Sequence, residues 1–217
     1  MEEKIIYDSV RYNGQEVIKG FKVEEGTRAI DILKQFINPP EDKIIVVPET
    51  YISLCNKEQS QKWHPEGDVM NHVYNGLMFL EHTPMLYGVP MQVKQLLEEV
   101  WIYHDIGKTQ YPGPKYIGHD KAGVRVLDEI PYSEFDDMIF HENKKDMVKT
   151  FVHYHMRKEV KDRKKIQHIM EAVKDGLMVK VSWEGNNYTV NGLYVYKVLM
   201  TADDLNFEIP EWLRDYK

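Results

Sequence analysis

From Asp68 onward apolar residues recur at intervals of three and four: Val69, Val73, Leu77 and Leu80, then Val93, Leu97 and Val100, with Trp101 beside the last. That spacing lays one apolar stripe along an α-helix and predicts helices through the middle of the chain. The same pattern predicts further helices over 119–130, 144–156 and 161–175. Two stretches read differently. Ile5 to Val23 gathers strand-forming residues around Asn13-Gly14, a hairpin turn signal, after which Thr27 caps a short helix that runs through Phe36 to the stop at Pro39-Pro40. Leu177 to Val190 predicts a second hairpin, turning at Gly185-Asn186-Asn187, and Asn191 then caps a final helix reaching about Asn206. The expected class is mainly α. A small α+β appendage over 1–59 precedes a helical bundle over 60–217 that carries a β-hairpin insertion near 177–190.

Composition narrows the function. With 42% hydrophobic residues, 217 residues can bury one good core. No run approaches the roughly 18 apolar residues of a membrane span. The amino end lacks the basic, apolar, small-residue order of a secretory leader, so the expectation is a soluble, cytoplasmic protein with no membrane partner. The single cysteine excludes an internal disulfide and a thiolate cluster. A net charge of −7 argues against broad DNA binding, although Arg157 to Lys165 forms a local basic run. That run reads first as a solvated helix face, with phosphate binding as the alternative. Neither a Walker loop nor a GxGxxG turn is present.

The candidate chemistry centres on His104-Asp105, inside Trp101-Ile102-Tyr103-His104-Asp105-Ile106-Gly107-Lys108. Helical phase tests which neighbours join it. His72 falls on the margin of the Val69–Leu80 stripe, and His104 continues the Val93, Leu97, Val100 series. His119 shares a face with Ala122, Gly123, Val126 and Ile130; His155 follows Val148, Phe151 and Val152, whereas His153 points elsewhere. Asp203 stands four residues after Leu199, beside Ala202. A buried carboxylate without a partner is costly, and ligation of a cation would keep Asp105 and Asp203 charged. Imidazole and carboxylate donors suit intermediate divalent ions. Taken singly, each inward histidine is more often a hydrogen-bonded core residue. Together they point to a metal. His82, His141 and His168 sit at helix ends or on polar faces and carry no assigned role.

The order His72, His104-Asp105, His119, His155, Asp203 resembles the HD superfamily of metal-dependent phosphohydrolases, an all-helical fold. Two strings sharpen the likeness: His64-Pro65-Glu66-Gly67-Asp68-Val69 before His72, and Gly118-His119-Asp120-Lys121-Ala122-Gly123. Both are similar to stretches of the HD domain attached to bacterial tRNA nucleotidyltransferases. The resemblance covers about residues 60 to 206 and leaves the first 59 residues and the hairpin at 177–190 outside it.

The resemblance implies a principal metal site of His72, His104, Asp105 and Asp203. His119 and His155 would hold a second metal bridged by Asp105, or contact substrate phosphate where one metal is bound. His153 is the alternative to His155, and Asp204 to Asp203. The implied cofactor is one or two divalent ions per chain, drawn from Mn, Co, Ni, Fe, Zn and Mg. Lys108 would lie near the scissile phosphate and act with Asp105 in catalysis. Glu66 and Asp68 would shape the pocket entrance, and Arg157 would offset phosphoryl charge. The implied activity is that of a phosphodiesterase or phosphatase on 2',3'-cyclic or terminal nucleotide phosphates, whether on a small nucleotide or an RNA terminus. Before residue 60 there is no paired-carboxylate nucleotidyltransferase motif, so a freestanding hydrolase is expected. Ile106-Gly107-Lys108 stands where the ppGpp hydrolases have an acidic pair, which disfavours that branch. Two other readings stand: a mixed-valent di-iron oxygenase using the same six ligands, and a non-catalytic metal-binding HD module.

Overall fold

Asp68 starts the helical body: its carboxylate accepts the Asn71 N–H at 2.8 Å and caps α1 (Val69–His82). A computed structural model describes residues 9–12, 15–18, 57–62, 64–130, 144–157, 160–183, 185–204 and 207–217. Before α1, β1 (Ser9–Tyr12) pairs antiparallel with β2 (Gln15–Ile18), the hairpin expected around Asn13-Gly14. The helix expected from Thr27 to Phe36 lies outside the described residues, as does His141.

After α1 come α2 (Met91–Tyr103), α3 (His119–Glu129), α4 (Lys144–Tyr154) and α5 (Arg163–Gly176). The second hairpin, β3 (Val179–Trp183) and β4 (Asn186–Val190), leads into α6 (Gly192–Asp203), whose first turn is capped by Asn191. A short α7 (Glu211–Arg214) closes the chain. The fold is mainly α with two small hairpins. No helix among the described residues is long and apolar enough to cross a membrane.

The apolar stripes meet as their period requires. Helix α1 packs on α2 and α6, α2 on α4, α3 on α4, and α5 on both α4 and α6. Leu77, Val100, Trp101, Val148, Phe151, Tyr196 and Leu199 are fully buried between them. One glycine decides a close approach: a Cβ on Gly76 would stand 2.1 Å from the Trp101 ring. Its absence lets Trp101 Nε1 donate to Val73 O at 2.9 Å, locking α2 against α1.

Three boundaries differ from the sequence reading. The second hairpin turns at Gly185, whose φ of +78° suits glycine, so Asn186 and Asn187 are already in β4 opposite Trp183 and Ser182. Helix α6 stops at Asp203 rather than near Asn206, with the Asp204 N–H closing on Met200 O. Helix α4 ends at Tyr154, and His155–Arg157 form a 3₁₀ turn. There the His155 imidazole takes Val152 O, the carbonyl that an α-helical Met156 N–H would use.

Candidate metal centre

Each candidate ligand sits where a helix begins or ends, except His72, which is held inside α1. His104 caps the C-terminus of α2, and Asp105 opens the 3₁₀ turn Ile106–Gln110 that carries Lys108. His119 is the first residue of α3, His155 follows α4, and Asp203 is the last residue of α6. Three of the imidazoles close back onto the carbonyl three residues earlier. His104 Nδ1 donates to Trp101 O at 2.5 Å, His119 Nδ1 to Tyr116 O at 2.8 Å, and His155 Nδ1 to Val152 O at 2.7 Å. His72 Nδ1 donates to the Glu66 carboxylate at 2.8 Å. With Nδ1 committed in all four rings, Nε2 is the atom each turns to the centre.

Those nitrogens converge with two carboxylates. His72 Nε2 lies 3.3 Å and His104 Nε2 3.8 Å from Asp203 Oδ1. On the other side, Asp105 Oδ1 is 3.1 Å from His119 Nε2 and 3.9 Å from His155 Nε2, while Asp105 Oδ2 is 3.2 Å from His104 Nε2. Donor atoms therefore group as His72, His104, Asp203 and as Asp105, His119, His155, each set within 4.8 Å, with Asp105 between the two. His119 Nε2 and His155 Nε2 are 3.0 Å apart. Nitrogens on adjacent vertices of an octahedron with bonds of about 2.1 Å are about 3.0 Å apart, so this pair has ligand spacing.

The fit to a cation rests on His104. Its ring is completely buried and stacked on Trp101 with centroids 4.0 Å apart; because Nδ1 carries the proton to Trp101 O, the neutral ring turns the Nε2 lone pair toward Asp105 Oδ2 at 3.2 Å and makes no hydrogen bond there. A buried nitrogen without a partner costs about 1–3 kcal/mol, and a metal ion is a partner the cluster can accommodate.

Charge runs in the same direction. Burial opposes a positive His72, but Asp203 and Glu66 outweigh it and raise the imidazole to about 9. Burial likewise favours a neutral Asp105, yet the Lys108 ammonium and the facing histidines hold it well below the usual carboxylate range. His155, buried and facing His104 and His119, is depressed to about 3. Burial works against a charged His119, and Asp105 raises it nonetheless. The pocket's field thus draws positive charge to its centre while keeping His155 neutral, the form that ligates.

A third set, His64, Glu66 and His72, also lies within 4.8 Å. Here both imidazoles present Nδ1 to the same Glu66 oxygen, at 3.0 and 2.8 Å. Against burial, which favours the acid, these bonds hold the Glu66 carboxyl down at about 2. This set is the support that aims His72. The resemblance implies Glu66 at the pocket entrance and assigns His64 no role; the HPEGD string that carries both is the available signal. Asp68, expected beside Glu66, has Oδ1 at the α1 terminus as its cap. Arg157 Nη2 is 3.2 Å from Asp120 Oδ2, so an ion pair sits next to both His119 and His155. His153 faces away, lining a surface cavity with Val124, Lys149, Thr150, Tyr154 and Ala172.

Lys108 is expected near the reacting phosphate, and its ammonium lies 2.6 Å from Oδ2 of Asp105, which stands between the two donor sets. Its second acceptor, Gln59 Oε1, was invisible to sequence reasoning, being 49 residues away in a segment without periodicity. Gly107 brings α3 in: a Cβ there would stand 1.9 Å from His119 O and 2.4 Å from Gly123 N. Each donor set offers three protein donors, fewer than the four to six of common divalent sites, which would leave positions open on a bound ion. Compared with family models, curated proteins and solved structures, the chain matches none.

Proposed function

We propose that this chain is a metal-dependent phosphohydrolase of the HD type, acting on nucleotide phosphate esters, with 2',3'-cyclic and terminal phosphates as the substrate class. The observation that carries the reading is the convergence of four Nε2 atoms and two carboxylates in one buried volume, grouped three and three about Asp105. When bound, divalent ions supply Lewis acidity toward phosphoryl oxygens and lower the pKa of water from 15.7 toward about 7. The chain's residues do the rest. Asp105 spans the two donor sets, and the carbonyl-anchored imidazoles keep those sets from rearranging. The Lys108 ammonium beside Asp105 offsets charge on phosphoryl oxygens, and Arg157 stands near the His119 and His155 side to do the same once it leaves Asp120. Two divalent ions with Lys108, set against Asp105, Asp203 and Glu66, would leave a net charge of about +2, which favours anionic phosphate esters, a terminal dianion more than a cyclic monoanion.

The test is a panel of 2',3'-cyclic nucleotides, nucleoside monophosphates, deoxynucleoside triphosphates and cyclic dinucleotides with added Mn, Co, Ni or Mg. Chelator-sensitive hydrolysis of at least one member is expected. Inactivity on all of them, with bound iron and oxygen consumption on a non-phosphate substrate, would replace the hydrolase with an oxygenase.

A further inference from the structure

We infer that Gln59 is a positioning residue for Lys108, and that the segment Lys57–Gln59 belongs to the phosphate-binding apparatus rather than to an amino-terminal appendage. The inference rests on the metal-centre reading above for its chemistry and on the following geometry for its placement.

An ammonium group has three N–H donors. Lys108 is buried, 4% exposed, and spends one donor on Asp105 Oδ2 and a second on Gln59 Oε1. The third meets no acceptor among the described residues. Two fixed donors determine the direction of the third. A lysine is otherwise a flexible point charge, and holding it in one orientation removes an ordering cost that substrate binding would bear. The Tyr116 ring, 5.6 Å from Nζ, limits movement on another side.

Gln59 is itself fixed. It is buried, and its Nε2 donates to Asp68 O at 3.3 Å, next to the start of the helix that carries His72. Lys57 O accepts from Val69 N at 3.0 Å, and Glu58 forms an isolated antiparallel bridge with Asp68. Lys57 Nζ donates to Tyr111 O at 3.0 Å, and Tyr116 OH donates to Glu58 O at 2.7 Å. Three residues therefore tie together the start of α1, the turn that holds Lys108, and the loop whose Tyr116 carbonyl orients His119. A boundary drawn between residues 59 and 60 cuts through this clasp.

The test uses full-length Gln59→Leu, Lys108→Met and the double variant, loaded with Mn and probed with inorganic phosphate by calorimetry. Metal affinity of Gln59→Leu should stay within about threefold of the wild type, while phosphate affinity falls about tenfold, the scale of one charge-assisted hydrogen bond. In the Lys108→Met background the Gln59 substitution should change phosphate affinity by less than twofold, because Gln59 acts through the ammonium. Equal losses in both backgrounds, or a large loss of metal in Gln59→Leu, would overturn the inference. A separate readout stands apart from phosphate chemistry: the Lys108 ¹⁵Nζ ammonium resonance of protein loaded with diamagnetic Mg instead of Mn, expected to be sharp in the wild type and broadened in Gln59→Leu. If the wild type hydrolyses no member of the panel and binds no phosphate but this signal responds, the hydrolase reading fails and the positioning role stands. An unchanged ammonium signal sinks the positioning role whatever the activity.

Discussion

Replacing Gly107 by alanine tests how tightly the His-Asp turn must approach α3. The new Cβ would lie 1.9 Å from His119 O and 2.4 Å from Gly123 N, both backbone atoms that no rotamer change can move. A comfortable non-bonded separation is about 3.5 Å, so the turn and α3 must part by about 1.5 Å. Overpacking of this kind costs roughly 1–3 kcal/mol, and the rigid backbone on both sides puts the variant at or above the upper end. At 2–4 °C per kcal/mol for a chain of this size, the melting temperature should fall by about 6–12 °C. The chemical effect should be larger. Displacing His119 by more than an ångström from Asp105 separates the second donor set, and misplacement by about 1 Å can lower turnover about 10²-fold. Calorimetric melting, metal titration and turnover of purified protein measure all three. Gly88→Ala is the control: nothing lies within 4 Å of its Cβ, so the only cost there is the strain of a positive φ, +76°, which Gly107 does not share. It should lose only about 1 kcal/mol. A Gly107→Ala variant with wild-type melting and wild-type metal affinity would refute the packing argument.

Three further outcomes follow from the same geometry. His155→Ala should reduce turnover at least tenfold more than His153→Ala, since only His155 reaches Asp105, and the reverse ranking would mean that the 3₁₀ turn after α4 is wrongly placed. Glu66→Gln should weaken metal binding by about 10–100-fold while the fold is kept, because it removes the carboxylate that aims His72; unchanged affinity by calorimetry would assign Glu66 no supporting role. In chelator-treated protein, His72 has a folded-state value of about 9 against an ordinary 6.5, raised by Asp203 and Glu66 in spite of burial. A raised value stabilises fully below about 6.5 and is lost as pH climbs through about 9, so wild type should lose more stability than His72→Gln across that window. Parallel denaturation curves for the two proteins from pH 6 to 10 would contradict it.

Much of this centre was legible from helical period. His72, His104 and Asp203 lie on the stripes that also bury Leu77, Val100 and Leu199, so the packing that forms the core also gathers the candidate ligands. Period explained His155 only in part: it faces inward, but from a 3₁₀ turn that the sequence does not mark. Asn186-Asn187 read as turn residues, yet the positive φ at Gly185 suffices for the turn and leaves them extended. Gln59 was illegible for a different reason, and His64 was marked only by the HPEGD string and by no period. Their contacts with Lys108 and Glu66 join irregular segments, where no repeat indicates which side chains meet.

The most direct measurement is a crystal structure of protein loaded with Mn, with anomalous scattering recorded at the metal edge. The account predicts two peaks, one within about 2.3 Å of His72 Nε2, His104 Nε2 and an Asp203 oxygen, the other similarly placed among Asp105, His119 and His155. Both peaks should vanish in Asp105→Ala or shrink to one. Full Mn loading with no peak among these six residues would contradict the account at its centre.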